Sequence, residues 1–193
     1  MRHLIIGLTL LLVSSLPAMA QGGFVIDKLQ KINDEERALL RKGFKMPETA
    51  SIIVVKDKTF TTGVPLKICL ETILDPQVRE DLTSWIGEWN KKEADKYGTF
   101  EIVSDSLQSD ISVLRYLHPL PPSDPISAMF WDDPKGKRHS LIPVYSYLMV
   151  RKADGLEFLW RKVDLTYREE YEFSAKLLAD QLKKLMKDRA KAK

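Results

Sequence analysis

Residues 75–97 constrain the fold of this chain more than any other stretch. Asp75 carries a side chain suited to accept from the first free amides of a helix. Pro76 fits the first helical position, where its missing N–H is no loss. Val78, Leu82, Trp85, Ile86 and Trp89 then recur at helical spacing, while Glu80, Lys91 and Lys92 can face water. Gly98, after Tyr97, is a natural stop. The pattern predicts one amphipathic helix over 75–97, whose bulky apolar stripe needs a second layer to lie against.

The flanking segments supply that layer. Ser51–Val55 is short and β-branched, and reads as a strand. From Pro65 to Ile73, Leu66, Ile68 and Leu70 alternate with Lys67, Cys69 and Glu71, a period of two that predicts a half-buried strand. Thr99–Val103 and Asp110–Leu117 follow as strands across a polar turn, Ser104–Ser109. Leu141–Arg151 and Leu156–Tyr167 are long strand candidates, and Lys152-Ala153-Asp154-Gly155 between them carries the Asp-Gly signal of a hairpin. A final helix is expected over about 168–189, with Tyr171, Ala175, Leu178, Leu182 and Leu185 as its buried stripe. Nearer the start, Asn33-Asp34-Glu35-Glu36 supplies a cap and acids for a short helix that Gly43 and Pro47 end.

The expected fold class is α+β. It is a two-layer sandwich, with a mostly antiparallel sheet and two main amphipathic helices on one face. Residues 51–193 form a single domain, preceded by an N-terminal arm with a short helix over 21–50.

Residues 1–20 read differently. Met1-Arg2-His3 is a positive start, Leu4–Val13 is an apolar run, and Ala18-Met19-Ala20 has the small residues of a signal-peptidase site. The run is short for a membrane span, which needs about 20 residues. The expectation is a cleaved signal peptide and a protein exported through the secretory pathway, periplasmic or extracellular. No Cys follows the cleavage point, so a lipoprotein anchor is not expected. Cys69 is the only cysteine, which excludes an intrachain disulfide. Its apolar neighbours, Ile68 and Leu70, predict a buried thiol rather than a nucleophile.

Thirty Lys+Arg against 27 Asp+Glu leave too little basic excess for a dedicated nucleic-acid binder. The positive charge gathers at the end: seven Lys or Arg and two acids lie between Lys176 and Lys193. Cations belong at a helix C-terminus, so a solvated helix end is the plainer reading. Weak contact with an anionic membrane surface is the other.

Motifs that carry chemistry are few. G-x-S-x-G, phosphate-binding glycine loops, H-E-x-x-H and paired C-x-x-C are all missing from the sequence. No cofactor is expected. Residues 118–140 hold five of the ten prolines and read as a long loop, and long loops are often functional. Met129, Phe130 and Trp131 lie within it. Exposed, they form an apolar anchor for a protein partner; otherwise they belong to a short edge strand. His118 and His139 bracket the same loop, and with Asp132 they form an alternative metal-binding or hydrolytic site. The bland reading is two solvated histidines beside turn-forming aspartates.

The layout from Leu66 to Leu117 has an extended run, an Asp-Pro-capped helix, then Phe100-Glu101-Ile102-Val103 and Ser109-Asp110-Ile111-Ser112-Val113. With the hairpin and terminal helix after it, this resembles small exported α/β modules of bacterial envelopes, such as the TolB amino-terminal domain and the lipopolysaccharide-assembly lipoprotein LptE. The likeness is one of element order, and the lipid-bearing Cys of the lipoprotein members is missing here. It implies a non-catalytic accessory or binding role and marks no functional residues. The functional expectation is therefore an exported, non-enzymatic module that binds an envelope or extracellular component. The alternative is a secreted hydrolase or metal-binding protein.

Overall fold

The structure, a computed structural model, describes residues 32, 34–55, 58–117, 130–132, 138–167 and 175–191. Residues 1–20, where a signal peptide is expected, and residues 168–174, including Tyr171, lie outside the described residues. The chain divides into two compact units, Met1–Leu40 and Arg41–Lys193. Helix α1 (Asp34–Gly43) opens with Asp34, Glu35 and Glu36 and closes with Arg41 and Lys42, the charge order its dipole favours.

The second unit contains a mixed sheet and the helices that cover it. Its strands are β1 (Ser51–Val54), β2 (Leu66–Leu70), β3 (Phe100–Val103), β4 (Ile111–Leu117), β5 (Phe130–Asp132), β6 (Arg138–Lys152) and β7 (Gly155–Tyr167). Six of them lie in the order β1-β7-β6-β4-β2-β3, and β5 pairs with β6 off this path. Helices α2 (Pro76–Lys92) and α4 (Lys176–Lys191) share one hydrophobic core with the sheet. Val78, Leu82, Ile86 and Trp89 of α2 and Leu178, Leu182 and Met186 of α4 pack there with Leu66, Ile68, Ile111 and Val113. The α+β class holds, with both main helices feeding this single core.

The sheet is antiparallel only in part. The β6–β7 and β4–β6 ladders are antiparallel and the longest. The β1–β7, β2–β3 and β2–β4 ladders are parallel. The cause is the strand-helix-strand order over 66–103: a helical crossover returns the chain in the direction it started, so β2 and β3 must run parallel.

The long helix has the expected cap. Asp75 Oδ1 accepts from the backbone amides of Gln77 (2.9 Å) and Val78 (3.3 Å), with Pro76 next to it. Asp75→Ala is expected to lower stability by about 1 kcal/mol in urea unfolding, the usual value for losing an N-cap. Asp75→Asn, which keeps an acceptor, should recover most of it. The helix is not continuous to 97. It breaks at Glu93 (φ −119°, ψ −4°), and a single turn, α3 (Ala94–Tyr97), follows. The break folds the Tyr97 ring back to 5.8 Å from Trp89.

The strand β2 is not half-buried. Leu66, Ile68, Cys69 and Leu70 are all buried, because the turn over 104–110 crosses its non-helical face. Tyr116, Tyr145, Tyr147 and Phe158 form a stacked aromatic row, with centroid spacings of 5.1–6.2 Å.

Candidate functional site

Three places in the fold are candidates for a functional site. The first contains the residues singled out in the sequence. The proline-rich stretch is not a loop throughout, since Phe130–Asp132 forms β5 and pairs antiparallel with the first residues of β6. The register sets Phe130 across from Ser140, Trp131 across from His139 and Asp132 across from Arg138. Among the described residues the ladder of β4 with β6 ends at Leu117 and Val144, so this pairing lies beyond it. Of the candidate partner residues, Phe130 and Trp131 are on this ribbon and Met129 lies outside the described residues. Of the metal alternative, His139 and Asp132 stand one register step apart on opposite strands, and His118 lies outside the described residues. Among the described residues there is no group of three or more His, Cys, Asp or Glu placed to hold a metal ion.

The second place is a buried polar cluster on the non-helical face of β2 and β4. Glu71 follows β2 and is buried, as are Ser106, Ser109 and Ser112. Arg79, from α2, donates to the backbone oxygens of Leu70 (2.8 Å) and Glu71. Arg151, from β6, donates to Ser106 Oγ (2.8 Å) and to the Phe44 backbone oxygen (3.0 Å), with its guanidinium 5.4 Å from the Phe44 ring centroid. Glu71 Oε1 has no hydrogen-bond partner among the described residues. Burial pushes the Glu71 carboxyl above its ordinary value, against the opposing pull of Ser112, Arg151, Ser106 and Arg79. Burial and the neighbouring Glu71 push the Cys69 thiol up to about 11, so at neutral pH it is not a thiolate nucleophile.

This cluster has a consequence for stability. A carboxyl whose folded value is raised binds its proton more tightly in the native state than in the unfolded chain. Its contribution is therefore complete below the ordinary value of 4.5 and is lost as pH rises through the raised one. Glu71→Gln should remove this loss. Urea unfolding from pH 4 upward is expected to show the wild type falling relative to the variant as pH rises, with the variant the more stable at neutral pH. A constant difference across that range would contradict the assignment.

The third place was not visible as a site in the sequence. In the sequence Arg189 is one cation of a solvated helix end, yet in the fold it is 7% exposed. Continuing the stripe of Leu182 and Met186 by one more turn reaches it, and that spacing was the available signal. Its Nε donates to the Thr61 backbone oxygen (2.8 Å), and its Nη2 to Val64 O (2.6 Å) and also to Thr61 O. Its Nη1 meets only Met186 Sδ, at 3.9 Å. Burial lowers the Arg189 pKa and Asp110 opposes this, but the guanidinium stays charged. Arg189 lines a cavity of about 310 Å³, together with the turn over 62–65 and residues 94–99. Gly98 forms part of its wall with φ +90°, a conformation that favours glycine, and its carbonyl accepts from Trp89 Nε1 at 3.0 Å.

Among the described residues, no helix is long and apolar enough to cross a membrane. The molecule is thus an α+β protein with a mixed sheet, one helical layer, an aromatic-bearing ribbon and a cationic cavity. Comparison with protein families, curated proteins and solved structures finds no match.

Proposed function

We propose that the chain is an exported, non-enzymatic binding module that engages a protein of the cell envelope or extracellular space through the ribbon of β5 and the start of β6. The observation that carries the reading is the placement of β5. It pairs with β6 alone among the described strands, beyond the described ladder of β4 with β6, and it holds Phe130 and Trp131. A short strand with one partner among the described strands offers its other edge for pairing, and aromatic residues dominate the energetics of protein interfaces. The leader-like residues 1–20 support export. The element order shared with small envelope modules supports an accessory role.

The test uses the full chain expressed with its leader and recovered from the exported fraction. A Phe130→Ala/Trp131→Ala variant is expected to melt within about 2 °C of the wild type and to lose a partner that co-purifies stoichiometrically with the wild type. Retention of that partner by the variant would overturn the ribbon assignment. So would a wild type that purifies with no stoichiometric partner. Zinc titration by calorimetry addresses the rival site at His118, His139 and Asp132. Stoichiometric heat, lost on His139→Ala, would favour the metal reading instead.

A further inference from the structure

We propose that the cavity between α3, the turn over 62–65 and the end of α4 is a binding site for a small organic monocarboxylate, seated with one carboxylate oxygen on Arg189 Nη1 above Gly98. This site is separate from the ribbon and stands whether or not the ribbon binds a partner.

Arg189 is more than nine-tenths buried, and no carboxylate lies within ion-pair distance of it among the described residues. Asp110 acts on it from beyond that distance. A buried charge with no paired carboxylate beside it is an expensive arrangement, and its remaining donors are the ones a ligand can satisfy. Two of its three nitrogens are spent on the backbone oxygens of Thr61 and Val64. These bonds fix the guanidinium in place and leave Nη1 with a sulfur at 3.9 Å, a weak acceptor at long range.

Residue 98 is glycine: a Cβ there would sit in van der Waals contact with Nη1 (3.9 Å) and Met186 Cε (3.7 Å), so its absence leaves space beside Nη1. The cavity, at about 310 Å³, is at the small end of the range for ligand pockets. Lys96 lines the same cavity from the exposed side, with its ammonium 5.0 Å from the Tyr97 ring centroid, and Lys187 reaches the same ring at 5.7 Å. This places a second positive charge where an entering anion would pass.

The wall also selects among anions. Asp95 also lines the cavity, and its carboxylate offsets part of the positive charge there. A monoanion is favoured over a dianion such as phosphate. Val64, Pro65 and the Tyr97 ring provide an apolar side for the body of the ligand, which favours an organic acid over a bare inorganic anion.

Trp89 supplies a built-in reporter, since its indole N–H is bonded to Gly98 O at 3.0 Å. The test titrates the wild-type chain with benzoate, its neutral isostere benzamide, and inorganic phosphate, followed by calorimetry and tryptophan fluorescence. Saturable benzoate binding is expected, with benzamide and phosphate each at least about tenfold weaker. Lys96→Glu, on an exposed side chain that leaves the core untouched, should weaken benzoate about tenfold while the melting temperature stays unchanged. Arg189→Met should abolish binding. Because that variant also loses the bonds to Thr61 and Val64, the Lys96→Glu result decides the matter if it does not fold. No saturable benzoate signal, equal binding of benzamide, tighter binding of phosphate, or benzoate affinity unmoved by Lys96→Glu would each overturn the proposal.

Discussion

Gly155→Val is expected to detach β1 from the sheet and to lower stability by about 2–3 kcal/mol, equivalent to roughly 5–10 °C in melting temperature for a domain of this size. Gly155 opens β7 and pairs with Ser51, the first residue of β1. The two backbones approach so closely that a Cβ at 155 would overlap Ser51 O and lie 3.1 Å from the Ser51 carbonyl carbon. Those atoms are main chain and cannot rotate away, so β1 itself must move. The movement breaks the bonds from Ser51 N to Asp154 O (3.0 Å) and from Val55 N to Phe158 O (2.9 Å). Hydrogen exchange at those two amides should rise in the variant far more than in β4 or β6. Gly87→Ala is the contrasting case. Gly87 lies inside α2 with no atom within 4 Å of an added Cβ, so the change should stabilise by about 0.5–1 kcal/mol. Equal effects from the two substitutions would contradict the close approach of β1.

Trp89→Ala is expected to have the largest effect of any single truncation in α2, about 3–5 kcal/mol in chemical denaturation. Trp89 is 4% exposed, within 5.5–5.8 Å of the rings of Trp85, Tyr97 and Phe100. Its indole N–H also bonds to Gly98 O, so truncation both empties the core and releases the cavity wall. Trp89→Phe separates the two contributions. It keeps most of the packing and loses the bond to Gly98 O, and is expected to cost about 1 kcal/mol beyond its volume change. An alanine variant within 1 kcal/mol of the wild type would mean that the ring cluster does not anchor the helix to the sheet.

The helix α2 was legible because its cap, its proline and its apolar period all lie within one short stretch, and local signals of that kind act together. The hairpin at 152–155 was legible for a different reason than expected. An Asp-Gly pair signals a turn with left-handed residues. Here Lys45 is the only non-glycine with positive φ among the described residues, and Gly155 is not among the positive-φ glycines. The glycine serves the approach of β1 instead, a contact between residues about a hundred positions apart that no turn rule contains. Strand direction was not legible, because a period of two reports which face is buried and not which way a neighbour runs. Glu71 continues the polar alternation of Lys67 and Cys69, which predicts exposure. It is buried because the turn over 104–110 covers that face, and the sequence holds no local mark of this. Arg189 was obscured by its company, one cation in a run of seven. The helical stripe of Leu178, Leu182 and Met186 leads to it, but a charged residue at a stripe position is discounted unless its partners are known.

The measurement that bears most directly on the binding-module account is site-specific photocrosslinking in cells that express the full chain. A photoreactive residue is placed at position 131 on β5, and separately at Lys183, an exposed position on α4. The account predicts one discrete protein adduct from position 131, lost when Phe130→Ala is added, and no matching adduct from position 183. The same adduct from both positions, or none from position 131, would contradict it.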